Sequence, residues 1–526
     1  MGDLYKALRS KSLLIIIGQI VVYQIIILAI FLFQLKRVGA FGCFDDCFNF
    51  GAGYFLLQGK QLYSQIFFNH QPFMAYISAV VQYITQPQTL FELVKYHRIA
   101  VLFLADIFGT FLILRFGFPL FLSLVVFEAT KFYIFGDRFL AEGIIVYPMI
   151  YLTILILHKL LGKIVYRWEY FLAALCSWLI FWMREPFMPW SGIAVLLLLF
   201  FGYTEKKQRK TIVIAFIVFC LLHLITIVIL PIHEYIFNVL TANMQFEVSA
   251  QSWTVLTIAQ IVLYPVFVIL HGTGNIFQNT LFVLSIIFFV GIGYEVFWKR
   301  KYVAAGVSFF LLGLANLRVV PVGTLYYDAF HMIPWYGIFI GITCMFMRDM
   351  WDDVGTKKIA VLSGVSLILI TLYGIYLPQS FIREHSDTQL EFTTNYANYF
   401  VKGQVIKLLS KPGDTMFIEM WEDPIYFVAG VPTAYTYSWY TSIMPFFPKY
   451  QLAREEMFVT HPPTFYVGAC RDGDADSFAL SEEDKKKYTQ LLNSGRPSCV
   501  YVRKEIILTI NNKVIDRIRE YGYTLP

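Results

Sequence analysis

The chain has 526 residues, 58% of them hydrophobic and only 15% charged, with a formal net charge of +6. Soluble chains carry about 25% charged residues, so this deficit and a mean hydropathy of +0.60 exclude an ordinary string of soluble domains. The small positive balance concerns where Lys and Arg sit around apolar runs, so it bears on membrane topology and not on nucleic-acid binding.

The first apolar run, 12–34, follows Lys6, Arg9 and Lys11. It has no small-residue cleavage site and is too long for a signal-peptide core, so it reads as a retained span. Lys6 stands where a myristoylation signal needs Ser or Thr. The first outer loop, 35–96, runs FDDCFNFGAGYFLLQGKQLY and then FFNHQPF. Asp45 and Asp46 come about a dozen residues after the first span, and paired carboxylates at an apolar boundary are costly unless used. One could act as general base toward a hydroxyl; the alternative is a helix N-cap. The aromatic segment after them suits a helix lying on the membrane surface.

Further spans are expected at 97–115, 118–135, 143–160, 170–183, 188–203, 212–231, 277–297, 302–319, 329–347 and 358–377. Many approach or exceed the roughly 18–20 residues that cross a bilayer as helix, and some are short. The apolar stretches 72–86 and 254–270 read as interfacial or re-entrant, because of charge parity. Eleven spans keep all five basic clusters cytoplasmic: Lys6/Arg9/Lys11, Lys159/Lys163/Arg167, Lys206/Lys207/Arg209/Lys210, Lys299/Arg300/Lys301 and Lys357/Lys358. The expected fold is therefore an α-helical polytopic membrane protein of about eleven spans, N-terminus inside, in the plasma membrane. Residues 1–378 form the membrane domain, and 379–526 an extracytoplasmic α/β domain. In that tail, 415–421, 464–469 and 498–504 read as strands, while 481–494 and 512–522 read as helices. Of the seven cysteines, Cys176, Cys220 and Cys344 lie in apolar runs. Cys43 and Cys47 flank the acidic pair, and a Cys470–Cys499 disulfide is compatible with an outer tail.

This topology sends most costly polar residues to the outer side: Asp45, Asp46, His70, Glu92, His97, Arg98, Asp137, Arg138, Glu142, Arg184, Glu185, His233, Glu234, Arg318, Asp328 and His331. Such concentration points to a membrane-embedded site opening outward; ordinary solvated interfacial charge is the alternative. Phosphate-loop, His-Glu-x-x-His and Gly-x-Ser-x-Gly motifs are absent.

The first loop resembles the GT-C superfamily of glycosyltransferases, in its protein O-mannosyltransferase-like and aminoarabinose-transferase-like branch. That branch shows an acidic pair after span one, a Gly-x-x-Leu-Tyr, and a His/Lys-x-Pro-Pro element. Here these read Asp45-Asp46, Gly59 to Leu62-Tyr63, and His70-Gln71-Pro72-Phe73, with Phe73 in place of a second Pro. Arg138-Phe-Leu-Ala-Glu142, Arg184-Glu185-Pro186 and Asp328-Ala-Phe-His331 before Pro334 resemble later elements at outer span ends. The resemblance covers about residues 1–380 and implies a polyprenyl-phosphate-linked sugar as donor. A glycan, lipid or protein hydroxyl would be the acceptor, with membrane lipids around the chain. It implies inversion at the anomeric carbon, with Asp45 as base and Asp46 as its alternate or as a ligand of sugar or metal. Arg138 and Arg184 are expected to hold the phosphate. His70 and His331 would bind phosphate or a divalent metal such as Mg or Mn. Tyr63 and Asp328 would line the substrate. Glu142 is expected to pair with Arg138 at i, i+4 or to contact substrate. Two other classes stay open: a polytopic transporter or flippase, which would show a midplane site or repeated halves, and a lipid-linked glycan polymerase or ligase.

Overall fold

A computed structural model describes residues 11–35, 45–245, 255–271, 276–318, 327–354, 388–419, 424–468 and 480–526. In chain order its main helices are α1 (Lys11–Leu35), α2 (Asp45–Leu57), α3 (Pro72–Thr85), α4 (Leu90–Phe116), α5 (Phe118–Thr130), α6 (Ala141–Leu160) and α7 (Arg167–Met183). Then come α8 (Met188–Tyr203), α9 (Arg209–Ile229), α10 (Val255–His271), α11 (Ile276–Gly293), α12 (Tyr302–Ala315), α13 (Ile333–Val354) and α14 (Thr388–Leu409).

Seven described helices are long and apolar enough to cross a membrane: Leu13–Phe33, Leu90–Phe116, Ala141–Leu160, Glu185–Tyr203, Arg209–Ile229, Asn279–Trp298 and Ala329–Trp351. This is the architecture of a polytopic helical membrane protein. The expected spans at 118–135, 170–183 and 302–319 appear as α5, α7 and α12, helices of 13, 17 and 14 residues that fall below the length of those seven. The expected span at 358–377 lies outside the described residues. In α10 the helix breaks at Leu263, two residues before Pro265, as a ring without an N–H requires.

The chain divides into two compact units. The first comprises Met1–Val38, Arg98–Ile229 and Gln251–His385. Its centre is the pair α6 and α13. Gly337 and Gly341 form a Gly-x-x-x-Gly face on α13, and a Cβ at Gly337 would sit 2.3 Å from Val146 Cγ2 and 3.1 Å from Ile150 Cδ1. Small residues let helices approach closely where lipid supplies no drive for association. Trp190 of α8 donates to Leu311 O of α12 at 3.0 Å, and Gln24 of α1 donates to Asp106 of α4 at 2.7 Å.

At one end of this unit the basic loops meet carboxylates. Lys159 pairs with Glu205, and Lys163 and Lys299 share Asp349. Arg115 holds Glu169 at 2.6 Å and Ile164 O at 2.9 Å. At the other end of α6 stands Glu142, ~25 Å from Lys159 at 1.5 Å per helical residue.

The second unit comprises Gly39–His97, Leu230–Ala250 and Ser386–Pro526. Its five-stranded sheet has the order β1-β2-β4-β3-β5. The strands are β1 (Met416–Ile418), β2 (Phe465–Val467), β3 (Tyr488–Asn493), β4 (Arg496–Arg503) and β5 (Tyr523–Thr524). β1 and β2 are parallel and the other pairings antiparallel. The stretch read as a helix over 481–494 is instead a short helix, Glu482–Lys485, followed by strand β3. The cause is the two-residue turn Ser494-Gly495, with φ of +51° and +78°, which closes a hairpin onto β4. The expected helix over 512–522 is present as Asn512–Glu520.

The aromatic segment after the acidic pair is a second correction. α2 does not lie on a surface; Asp46, Cys47, Phe48, Asn49, Phe50, Gly51, Ala52, Gly53 and Phe55 are all buried. A Cβ on Gly53 would lie 2.5 Å from Ser78 Oγ of α3, and Gln82 of α3 donates to Phe50 O at 2.9 Å. The outward face belongs to α3 instead, where Tyr76, Val80, Tyr83 and Ile84 are exposed at helical spacing.

Candidate functional site

Three of the polar residues expected at outer span ends come together in the first unit, near the N-termini of α6 and α13 and the C-terminus of α7. Glu142 is in the first turn of α6, Arg184 caps α7, and His331 lies in the 3₁₀ turn that immediately precedes α13. Arg184 Nε donates to Glu142 Oε1 at 2.8 Å, and His331 Nδ1 donates to the same oxygen at 3.2 Å. All three are buried. A carboxylate can only accept, so His331 Nδ1 carries the proton of this bond. Arg184 Nη1 also lies 3.2 Å from Glu185 Oε1. One carboxylate thus aims a guanidinium and an imidazole from two other helices.

Arg138 and Glu142, expected to pair at i, i+4, do not share a helix. Arg138 lies in the turns before α6 begins at Ala141, so it is not one helical turn below Glu142. Its backbone N–H donates to Phe135 O at 3.1 Å, its carbonyl accepts from Leu140 N at 2.8 Å, and its Nε lies 3.8 Å from Asp137 Oδ1. Asp328 falls in the 3₁₀ turn Tyr327–Met332.

The remaining expected residues belong to the second unit. Asp45 and Asp46 occupy the first turn of α2, Asp45 exposed and Asp46 buried. Carboxylates there are favoured by the helix dipole. Tyr63 is fully buried with φ +68°, and its hydroxyl donates to His70 O at 2.8 Å. The His70 ring meets Phe48 and Phe68 edge-on. This loop is knitted to the tail and to the segment after α9. Lys60 donates to Tyr435 O and Thr436 O, each at 3.2 Å, and Ser438 donates to Gln65 O at 3.0 Å. Asn69 and Asn243 exchange two hydrogen bonds of 3.1 and 2.6 Å. Burial lowers the Lys60 ammonium to about 8. Cys47 and Cys499 are both disulfide-bonded, while Cys43 and Cys470 lie outside the described residues.

The chain was compared with known proteins. No family model and no curated protein matches it.

Among the described residues no group of three or more His, Cys, Asp or Glu side chains is placed to hold a metal ion. One constellation escapes a reading of the sequence. Glu128, Lys131 and Tyr147 are fully buried and bonded to one another. The signal was there in the Glu-Ala-Thr-Lys spacing, an i, i+3 pair, but it sits inside an apolar run that reads as an uninterrupted span.

Proposed function

We propose that the chain is a membrane glycosyltransferase, similar to the GT-C superfamily. It would transfer a sugar from a polyprenyl-phosphate donor to an extracytoplasmic hydroxyl. The observation that carries this reading is the convergence of Arg184 and His331 on Glu142 at buried ends of apolar helices. A permanent guanidinium in that setting suits an anionic, greasy carrier, because it matches phosphate oxygens in a bidentate way. The opposite end of the same helices carries the Lys-rich loops. By the positive-inside tendency, that basic end supports a cytoplasmic side for the Lys-rich loops and an outer side for the Glu142 cluster. The disulfide-bonded Cys47 and Cys499 support an oxidising surrounding for the first loop and the tail.

In the reaction the acceptor O–H gives its proton to a carboxylate, the role that the resemblance implies for Asp45, while its oxygen bonds to the anomeric carbon. The bond from that carbon to the phosphate oxygen breaks, and the electron pair leaves with the phosphate. Arg184 and Arg138 compensate the charge that develops there, and the configuration inverts. The test is Asp45→Asn, purified in lipid and given a labelled polyprenyl-phosphate sugar. The variant is expected to fold and insert normally and to lose transfer; near-normal transfer removes Asp45 from the role of base.

A transporter has one observation in its favour: Asp106, inside the long apolar helix α4, accepts from Gln24. Movement of labelled donor across proteoliposomes without its consumption would select that reading.

A further inference from the structure

The reaction above makes no use of the buried set formed by Glu128, Lys131 and Tyr147. Lys131 Nζ lies 2.6 Å from Glu128 Oε2 and donates to Tyr147 OH at 2.9 Å. Tyr147 OH donates to Glu128 Oε1 at 2.5 Å, so the three groups close a ring with balanced charge. Burying such a pair gains little stability over well-packed apolar residues of the same volume, because both ions lose their water. Its consequence is geometric. Glu128 lies in the last turn of α5, Lys131 opens the 3₁₀ turn Lys131–Ile134, and Tyr147 is on α6 five residues beyond Glu142. The ring therefore fixes both ends of the segment that carries Arg138.

The backbone between those ends folds over the lysine stem. Phe135 adopts φ +62°, and Gly136 N donates to Lys131 O at 2.8 Å. A Cβ at Gly136 would lie 2.7 Å from Lys131 Cβ, so the turn closes only over a glycine. Arg138 and Leu140 then make successive tight backbone bonds, and α6 begins. Thr130, between the two charged residues, is bonded to Tyr336 OH of α13 at 2.7 Å. That ties the same turn to the helix that His331 precedes.

From this geometry we infer that Glu128, Lys131 and Tyr147 are positioning residues of the donor-phosphate site. They hold the Arg138 turn and the start of α6, and through Glu142 they set Arg184 and His331. The inference rests on the glycosyltransferase reading, in which Arg138 and Arg184 receive the phosphate.

The experiment measures binding of a short-chain polyprenyl phosphate to the full-length purified protein, alongside thermal unfolding. In Glu128→Gln/Lys131→Met both charges are removed together, so no lone ion is left buried. Affinity is expected to fall roughly tenfold or more while the protein stays folded, since small misplacements of binding groups carry large penalties. Tyr147→Phe keeps the ion pair and removes one link, with an expected loss of about threefold. A folded double variant that binds within about twofold of wild type overturns the inference. If the double variant does not fold, Tyr147→Phe decides, and unchanged affinity there overturns it equally. Arg184→Ala separates the two levels. If it binds as wild type does, the phosphate reading itself fails; if it loses binding while the double variant keeps it, only the positioning role falls.

Discussion

Glu142→Gln tests whether one carboxylate organises the buried cluster. Glu142 Oε1 accepts from Arg184 at 2.8 Å and from His331 at 3.2 Å, and all three groups are buried. Removing one partner of a buried pair costs about 3–5 kcal/mol, because the other charge is left uncompensated. Glutamine keeps a carbonyl oxygen, and one neutral hydrogen bond returns about 1 kcal/mol. Arg184 also keeps Glu185 at 3.2 Å. The expected loss is therefore about 2–4 kcal/mol. Denaturant unfolding in lipid-detergent micelles would measure it, with Arg184→Met and the double variant completing a cycle. The double variant is expected to cost less than the sum of the singles, by about 1–3 kcal/mol. A single-variant loss under about 0.5 kcal/mol, the level of an ordinary surface change, or strict additivity of the pair, would refute the reasoning.

Two further outcomes follow from the packing and the charges. Gly337→Val should destabilise by about 1–3 kcal/mol, as overpacking does, because its Cβ would already lie 2.3 Å from Val146; a melting temperature equal to wild type would contradict this. Burial holds Lys60 at about 8, below the ordinary 10.5, so folding favours its neutral amine. That destabilisation is complete below pH 8 and is relieved as pH rises from about 8 towards 10.5. Carbon-13 NMR of the labelled lysines should show one midpoint near 8 that disappears in Lys60→Met; a Lys60 midpoint near 10.5 would contradict the burial argument.

Much of the membrane part was legible because apolar length is a direct physical signal. The helices over 11–35, 90–116 and 141–160 fall close to the expected spans, since a backbone in lipid must satisfy its own hydrogen bonds. Where the reading missed, a local device won over the average. The expected run 118–135 ends at Thr130, because Thr130 bonds back to Val126 O and the chain then turns through Phe135 at positive φ. The stretch 481–494 carries helix-favouring Glu and Lys, yet Ser494-Gly495 makes it half of a hairpin. Side-chain partners were less legible than side-chain neighbourhoods. Glu142, Arg184 and His331 were all expected near span ends and do meet, but their bonds to one another were not foreseen, and the helix of Glu142 starts three residues after Arg138. At the acidic pair, one residue of helical rotation separates an exposed Asp45 from a buried Asp46, a difference no sequence pattern reveals.

The central claim is that a lipid-phosphate sugar is consumed on the outer side of the membrane. Its most direct test is to supply purified wild-type protein, in liposomes, with an anomerically defined polyprenyl-phosphate sugar and a hydroxyl acceptor, and to read the product by NMR. The account predicts a new glycosidic bond of inverted configuration with release of the polyprenyl phosphate. An intact donor across a range of sugars, or a product that retains the donor's configuration, would contradict it.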